Sequence, residues 1–311
     1  MFRWPQVSHC LTLSNMPELP EVQTTVNGLN RTVKGRKILD VWTDYGSKIY
    51  NSRFSIFNKN QIKNSKYFKE FKKKIVGARI LKARRRGKNV LIDLNNHETI
   101  LVHMKMTGHF FYNPPKNASF IHFDLTLDNK KHLAFSDMRK FAKITLIPTD
   151  KLDESLHVLH LGPESLDKKF TFEIFKEGLL KKPKGKIKTV LMDQEIIVGI
   201  GNIYSDEILW RTSVHPLSIV QAIPENPPAG GLKEMFKAMK ETLKKGIDFG
   251  GDSMFDYRNI NGEKGKFQDY HRAYQRTGLK CLKPGCKGII KRIVVGTRSA
   301  HFCPVHQKLF I

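Results

Sequence analysis

CLKPGCKGIIKRIVVGTRSAHFCPVH, residues 281–306, holds three of the chain's four cysteines and ends on a histidine. Four residues separate Cys281 from Cys286, sixteen separate Cys286 from Cys303, and two separate Cys303 from His306. Two short ligand pairs on a hairpin-like span suit tetrahedral zinc, which takes thiolate and imidazole ligands from tight turns; four protein ligands leave no open position, so the expected cofactor is one structural Zn2+. A disulfide would pair two thiols and leave the third over, which favours metal. Residues 276–311 are thus expected to form a small β-hairpin zinc finger.

Upstream, FTFEIFKEGLL (170–180), KIKTVLMDQEIIV (186–198), NIYSDEILWRTS (202–213) and GLKEMFKAMKETLKKGI (231–247) space their apolar residues three and four apart, the period of helices. PENPPAGG (224–231) reads as a loop between helices, and GGDSMFDYRNINGEKGKFQDY (250–270) as a long Gly-rich polar segment of mobile character. Before residue 150 the pattern is β. ILDVWTDYGSKIY (38–50), IVGARILKARRRGKNVLIDLN (75–95), TILVHMKMTGHFFY (99–112), FIHFDLTLDNKKHLAFSD (120–137) and AKITLIPTD (142–150) are short β-rich runs, several alternating apolar with polar, broken by Gly, Asn or Asp. The expected architecture is α+β and multidomain: a β-sandwich over 16–149, a helical domain over 150–275 and the finger over 276–311.

Charge names the class of partner. With 54 Lys and Arg against 29 Asp and Glu in 311 residues, the formal charge is +25, so a polyanion is the leading candidate and nucleic acid fits best. No apolar run reaches the roughly 18 residues a spanning helix requires, so no membrane partner is expected. The leader MFRWPQVSHCLTLSN (1–15), which contains the fourth cysteine, Cys10, lacks the apolar core of a secretory signal, and the chain reads as intracellular, in cytoplasm or nucleoid.

Several basic or apolar stretches carry two readings each. Lys82, Arg84, Arg85, Arg86 and Lys88 precede an apolar strand, either as a solvated basic edge or as phosphate contacts. GIGNIYSDE (199–207) brings two glycines and Asn202 to a helix start, which serves either as an ordinary cap or as a phosphate site. Met106 and Phe141, with Arg139 near, sit at strand ends and are either core or wedges for a base stack. MPELPEV (16–22) is either a turn into a helix, with Glu18 and Glu21 at the positive end, or a chemical group: with Met16 removed, Pro17 becomes a free secondary amine.

Together MPELPEV, RRRGKNVLIDL (84–94), HMKMTGHF (103–110), SDMRKFA (136–142), LGPESL (161–166), IKTVLMDQEIIVGIGNIYSDEIL (187–209) and the finger span resemble, in order, the formamidopyrimidine-DNA glycosylase family from Met16 to the C-terminus. The resemblance implies a β-sandwich flanked by helices, a helix-two-turn-helix domain and a zinc finger, with damaged double-stranded DNA in the cleft, no small-molecule cofactor and a monomer. It implies a base-excision-repair glycosylase and AP lyase in which the Pro17 nitrogen attacks the sugar and β,δ-elimination cuts the strand. By motif position Glu18 would be the acid that opens the sugar ring, Lys88 the donor for β-elimination and Arg298 the donor for δ-elimination. His122, Arg139, Lys182 and Asn202 would contact DNA, Glu207 would be a supporting acid, and Met106, Arg139 and Phe141 would fill the gap left by an extruded nucleotide. The 250–270 segment occupies the place of a lesion-capping loop.

The trio and LGPESL resemble the oxidised-purine branch, so 8-oxoguanine and formamidopyrimidines opposite cytosine are the expected lesions; the alternative is an endonuclease VIII-like enzyme for oxidised pyrimidines. The finger departs from the family in its Cys-x4-Cys spacing, in His306 for a fourth cysteine and in Ala300 for a threonine. With residues 1–15 attached, Pro17 is an internal imide with no lone pair, so these residues are expected to be absent from the active enzyme. If they stay, the chain binds lesions without lyase activity.

Overall fold

NVLIDL, residues 89–94, is a strand without an exposed side: it is buried at all six positions. Both of its sides are covered. In the computed structural model, which describes residues 16–45, 62, 64–227 and 230–311, the strands are β1 (Ile38–Thr43), β2 (Ile80–Arg86), β3 (Asn89–Leu94), β4 (Glu98–His103), β5 (His109–Tyr112), β6 (Ile121–Leu127), β7 (His132–Ser136) and β8 (Lys143–Pro148). They form two antiparallel four-stranded sheets, ordered β1-β6-β7-β5 and β2-β3-β4-β8. Val90, Ile92 and Leu94 point into the core between the sheets. Leu91 packs the other way, with Leu101 and Ile147, beneath Leu152 and Val158. Two-sided cover is what lets a strand run apolar instead of alternating.

Helix α1 (Leu19–Thr32) joins the two halves of the molecule. Val22, Val26 and Leu29 enter the sandwich core, whereas Leu19, at its first turn, lies in the core of the helical domain. A second flanking helix is α2 (Ser65–Ile75), whose position was not read from the sequence. Asn64 caps it by accepting the Lys66 and Tyr67 N–H groups at 3.0 and 3.2 Å, and Phe71 and Ile75 anchor it in the sandwich core. The expected leader (1–15), Cys10 and part of the first strand signal (46–50) fall outside the described residues.

The helical domain contains α3 (Phe172–Leu180), α4 (Ile187–Leu191), α5 (Asn202–Arg211) and α6 (Leu232–Asp248). One expectation is corrected here: the helical period read through Val198 ends at Leu191. Gln194 takes over the following turn, accepting the Gly199 N–H at 2.9 Å and donating to the Ile200 carbonyl at 2.8 Å. Side-chain bonds of this kind give the backbone an alternative to the helix ladder. Residues 203–210 of α5 are buried throughout, so this helix is the centre of its domain. The segment 250–270, read as mobile, is held at both ends and in the middle. The Lys266 N–H donates to the Phe249 carbonyl at 2.8 Å, the Tyr112 N–H to the Ile260 carbonyl at 2.8 Å, and Tyr257 and Ile260 are buried. β9 (Lys291–Val295) and β10 (Arg298–Phe302) form the antiparallel hairpin of the finger.

Candidate active site and DNA-facing residues

The turn 199–203 is where three distant pieces of chain meet. Gly199, with φ +97°, accepts the Leu19 N–H at 3.0 Å, and a Cβ on it would lie 2.6 Å from the Leu19 side chain. The Ile200 carbonyl accepts Lys88 Nζ at 2.9 Å. The Glu18 carboxylate accepts the N–H groups of Gly201 at 2.6 Å, Ile203 at 2.9 Å and Tyr204 at 3.4 Å, at the positive end of α5. A Cβ at Gly201 would fall 2.4 Å from Glu18 Cδ, so glycine is what admits the carboxylate. Glu18, read as serving the start of its own helix, thus anchors a helix 183 residues further on.

Burial drives the electrostatics. Glu18 is raised above the usual carboxylate range by desolvation, opposed by Lys88 and the three backbone donors. Lys88 is lowered by desolvation, opposed by Glu18 and Glu21 and reinforced by Arg298. Glu21 accepts the Glu18 N–H at 2.8 Å, Tyr204 Oη at 2.8 Å and the Asp252 N–H at 2.7 Å. Desolvation, then the charges of Glu18 and Asp252, push it up to about 7. Pro17 lines a small pocket beside these groups, with Met16, Glu21, Ile203, Asp252, Phe255, Asp256 and Tyr257. Pro17, Glu18, Lys88 and Arg298 therefore belong to one neighbourhood. So does His103, whose imidazole is driven well below its usual range by burial and then by Lys105, Lys88 and Lys143. These cations make an anion-seeking wall.

Met106 and the pair Arg139 and Phe141 sit on two loops that one buried carboxylate ties together. Asp137 accepts Thr107 Oγ1 at 2.5 Å and the Ala142 N–H at 2.8 Å, and Thr107 Oγ1 in turn accepts the Arg139 N–H at 3.1 Å. Arg139 is exposed, Phe141 is 44% exposed with the Arg139 guanidinium 4.7 Å from its ring centre, and Met106 is half-buried. These are tips of loops, not core. The remaining residues are more scattered. His122 is buried, its Nδ1 2.8 Å from Asp44, so it is packed inside the sandwich edge. Lys182 is exposed and ion-paired with Asp193. Asn202 donates to Ser299 Oγ at 3.4 Å, next to Arg298 on the finger. Glu207 accepts the N–H groups of Arg272, Ala273 and Tyr274 at 2.8, 2.9 and 2.9 Å, so it anchors the chain leading into the finger.

In the finger the donor atoms of Cys281, Cys286, Cys303 and His306 lie within 4.8 Å of one another. Cys286 Sγ is 3.6 Å from Cys303 Sγ, and His306 Nδ1 is 3.4 Å from Cys281 Sγ and 3.8 Å from Cys286 Sγ. Tetrahedral zinc, with bonds of about 2.3 Å to sulfur and about 2.0 Å to nitrogen, requires edges of about 3.8 and 3.6 Å, so the donor set fits the ion. The other ring nitrogen, Nε2, lies 3.1 Å from the Trp210 carbonyl; as its donor, the ring keeps Nδ1 free for metal. A Cβ at Gly288 would come 2.4 Å from Cys303 Sγ, a cradle that only glycine leaves open. The buried Lys188–Asp206–His301 group joins this unit to α4 and α5: Lys188 Nζ is 2.5 Å from Asp206 Oδ1, and Oδ2 accepts the His301 N–H at 2.9 Å.

The family model of the formamidopyrimidine-DNA glycosylase N-terminal domain matches residues 16–144, and that of the H2TH domain of the same enzyme matches residues 161–257. The chain belongs to the formamidopyrimidine-DNA glycosylase family. It is similar to the formamidopyrimidine-DNA glycosylase of Pelotomaculum thermopropionicum, at 35% identity over 94% of this chain and all of that one. The Streptococcus pneumoniae enzyme is 32% identical over 94% of this chain and 99% of its own. Among solved structures, a complex of the Lactococcus lactis glycosylase with DNA containing an abasic site aligns at 29% identity and TM-score 0.80, over 94% of this chain and 99% of that one. The Thermus thermophilus protein aligns at 31% identity and TM-score 0.76, over 93% and 97%. Asp137, Gln194, Lys188, Asp206 and His301 shape this glycosylase site without having been found from the sequence. Asp137, Lys188, Asp206 and His301 act through partners 18 to 95 residues away, and Gln194 through a turn that exists only once the chain has closed, so no local pattern marks them. Among the described residues no helix is long and apolar enough to cross a membrane.

Proposed function

We propose that this chain is a bifunctional glycosylase and AP lyase that removes oxidised purines, 8-oxoguanine and formamidopyrimidines, from duplex DNA. The observation that carries the reading is the placing, next to Pro17, of a carboxyl that burial raises above its usual range, Glu18, with Lys88 and Arg298 within its electrostatic reach. An amine that starts a chain has an unperturbed pKa of roughly 7.7 to 8.0, so a neutral fraction is present near pH 7. Its lone pair forms a bond to the sugar C1′ as the bond to the base breaks, the base leaving with the electron pair. Opening of the C1′–O4′ bond leaves an iminium, and O4′ takes the proton of Glu18. The iminium acidifies C2′ and, after the first elimination, C4′; each gives its proton to water as the C3′–O and then the C5′–O bond breaks, and the phosphates leave with the electron pairs, protonated by Lys88 and Arg298. A nucleotide inside a duplex presents no accessible C1′, so extrusion must come first, and Met106, Arg139 and Phe141 are the side chains offered to the gap. The wall of Lys88, Lys105 and Lys143 would hold the flanking phosphates. In the finger Zn2+ would be structural, held by Cys281, Cys286, Cys303 and His306, and would fix the strand that carries Arg298.

Borohydride trapping on an 8-oxoguanine·cytosine duplex tests the reading, comparing the full chain with one whose first residue is Pro17, each checked by intact mass. The expected result is a covalent protein–DNA adduct only from chains whose mass places Pro17 first. Tight binding of the duplex with no adduct from either form would reduce the chain to a lesion-binding protein.

A further inference from the structure

Asp252 and His271 form an ion pair that the reaction above does not use. Their Oδ2 and Nε2 atoms are 2.6 Å apart, and both side chains are only 2% exposed. The approach lacks hydrogen-bond alignment, and His271 Nδ1 is buried with no partner, so charge rather than a bonding network holds the imidazole. Around it stand Glu21 from α1, Glu207 from α5, and the rings of Phe267 and Tyr274. Burial opposes the charge on His271, but Asp252, Glu207 and Glu21 outweigh it and raise the imidazole above its usual value.

The pair closes the base of one particular segment. Asp252 binds that segment to α1, through its N–H on Glu21, and its Oδ1 accepts the Met254 N–H at 3.1 Å. Two and three residues beyond Asp252, Met254 and Phe255 are 40% and 38% exposed, and Phe255 lines the pocket at Pro17. His271 lies next to Arg272–Tyr274, the residues that the Glu207 carboxylate fastens to α5. The segment between is therefore pinned at one end to α1 and at the other to α5, with the ion pair across its neck.

We propose that Asp252 and His271 are positioning residues that hold the 252–257 turn over the Pro17 pocket, so that its apolar tip covers an extruded nucleobase. The inference rests on the glycosylase reading. It predicts that the pair matters when a base has to be held and matters much less when the substrate has none. Substitution of one partner strands a buried charge, which is strongly destabilising, so the informative variant removes both, Asp252→Asn with His271→Leu. Single-turnover rates are measured on an 8-oxoguanine·cytosine duplex and on a duplex with a preformed aldehydic abasic site, with thermal unfolding alongside.

The expected outcome for the double variant is a loss of about tenfold or more on the base-bearing duplex, the order that misplacement of a covering element produces, with a loss within about threefold on the abasic one. Wild-type selection of the base-bearing duplex over the abasic one is also expected to weaken as pH rises through the raised His271 value, and that dependence to be missing from the double variant. Equal losses on both substrates, or a fall in melting temperature with no change in their ratio, would make the pair purely structural and overturn the proposal. Failure of the wild type to react with the abasic duplex would overturn the glycosylase/lyase reading itself, whatever the variants do.

Discussion

The junction around Glu18 and the loops that carry Met106, Arg139 and Phe141 lie in the same protein but follow opposite rules. At the junction Glu18, Glu21 and Lys88 are buried, bonded to backbone from another part of the chain, and shifted from their usual pKa. On the loops Arg139 and Phe141 are exposed and Met106 is half-buried, and the order lies underneath, in Asp137 and Thr107. Lys105 and Lys140 there adopt left-handed φ values of +58° and +52°, uncommon for residues with a side chain, so the loop backbone is held in place rather than relaxed. On the proposed reading, the groups that move protons are tuned by desolvation, and those that enter a base stack are presented at the surface.

Substitutions can break this contrast. Glu18→Gln is expected to have the largest effect, a loss of about 10²–10⁴-fold in adduct formation by a chain beginning at Pro17, the usual worth of a positioned acid, with damaged-duplex affinity retained. Quench-flow trapping and equilibrium binding on the same sample separate the two. Equal losses in both would move Glu18 to the binding side of the comparison.

Glu21 predicts a stability effect with a definite sign. Its carboxyl is raised to about 7 from 4.5, so the folded protein holds a proton that the unfolded chain releases. The stabilisation is complete below pH 4.5 and is lost as pH rises to about 7, on the order of 3 kcal/mol at 1.36 kcal/mol per unit. Denaturant unfolding between pH 4.5 and 7.5 should show a Glu21→Gln variant losing less stability over that window than the wild type. Parallel curves would mean that Glu21 is not held protonated.

On the loop side, Asp137→Ala leaves Thr107 Oγ1 and the Ala142 N–H without their acceptor and should cost about 1–3 kcal/mol of stability. It should also weaken binding to lesion duplexes, by disengaging the loop of Met106 from that of Arg139. Phe141→Ala is the smallest change: being exposed, it should leave unfolding within about 0.5 kcal/mol of wild type while reducing affinity for duplex but not for single-stranded DNA. A melting shift of several degrees in Phe141→Ala would place that ring in the core and erase the contrast.

How far the sequence can be read follows the same division. The finger spacing and the β-to-helix change near residue 150 are local patterns, and the fold bears them out; the glycines of GIGN read as a cap or a phosphate site, whereas in the fold Gly201 admits the Glu18 carboxylate. α2 carried a local signal too, Asn64 as cap with Tyr67, Phe71 and Ile75 on one side, but its run of lysines hides the apolar stripe. The end of α4 could not be read, because Gln194 competes with the helix through bonds that appear only once the turn has closed. The same holds for the partners of Glu18, Asp137 and Asp206: charged residues of ordinary composition, chosen by the tertiary fold. The resemblance to the glycosylase family supplied roles for Pro17, Lys88 and Arg298 that residue chemistry alone left open. It did not indicate that His122 would be packed away beside Asp44.

The bonds from Glu18 to Gly201 and Ile203 span 183 and 185 residues of chain. During synthesis the residues that open this site leave the ribosome near the beginning, and the helix end that completes it follows about 10 to 40 s later at ~5–20 residues per second. Arg298 and the finger come later still. A nascent or truncated chain therefore carries Pro17 and Glu18 with nothing to desolvate or orient them. Until Gly201 and Ile203 have been made, the Glu18 carboxylate has none of the backbone donors that hold it.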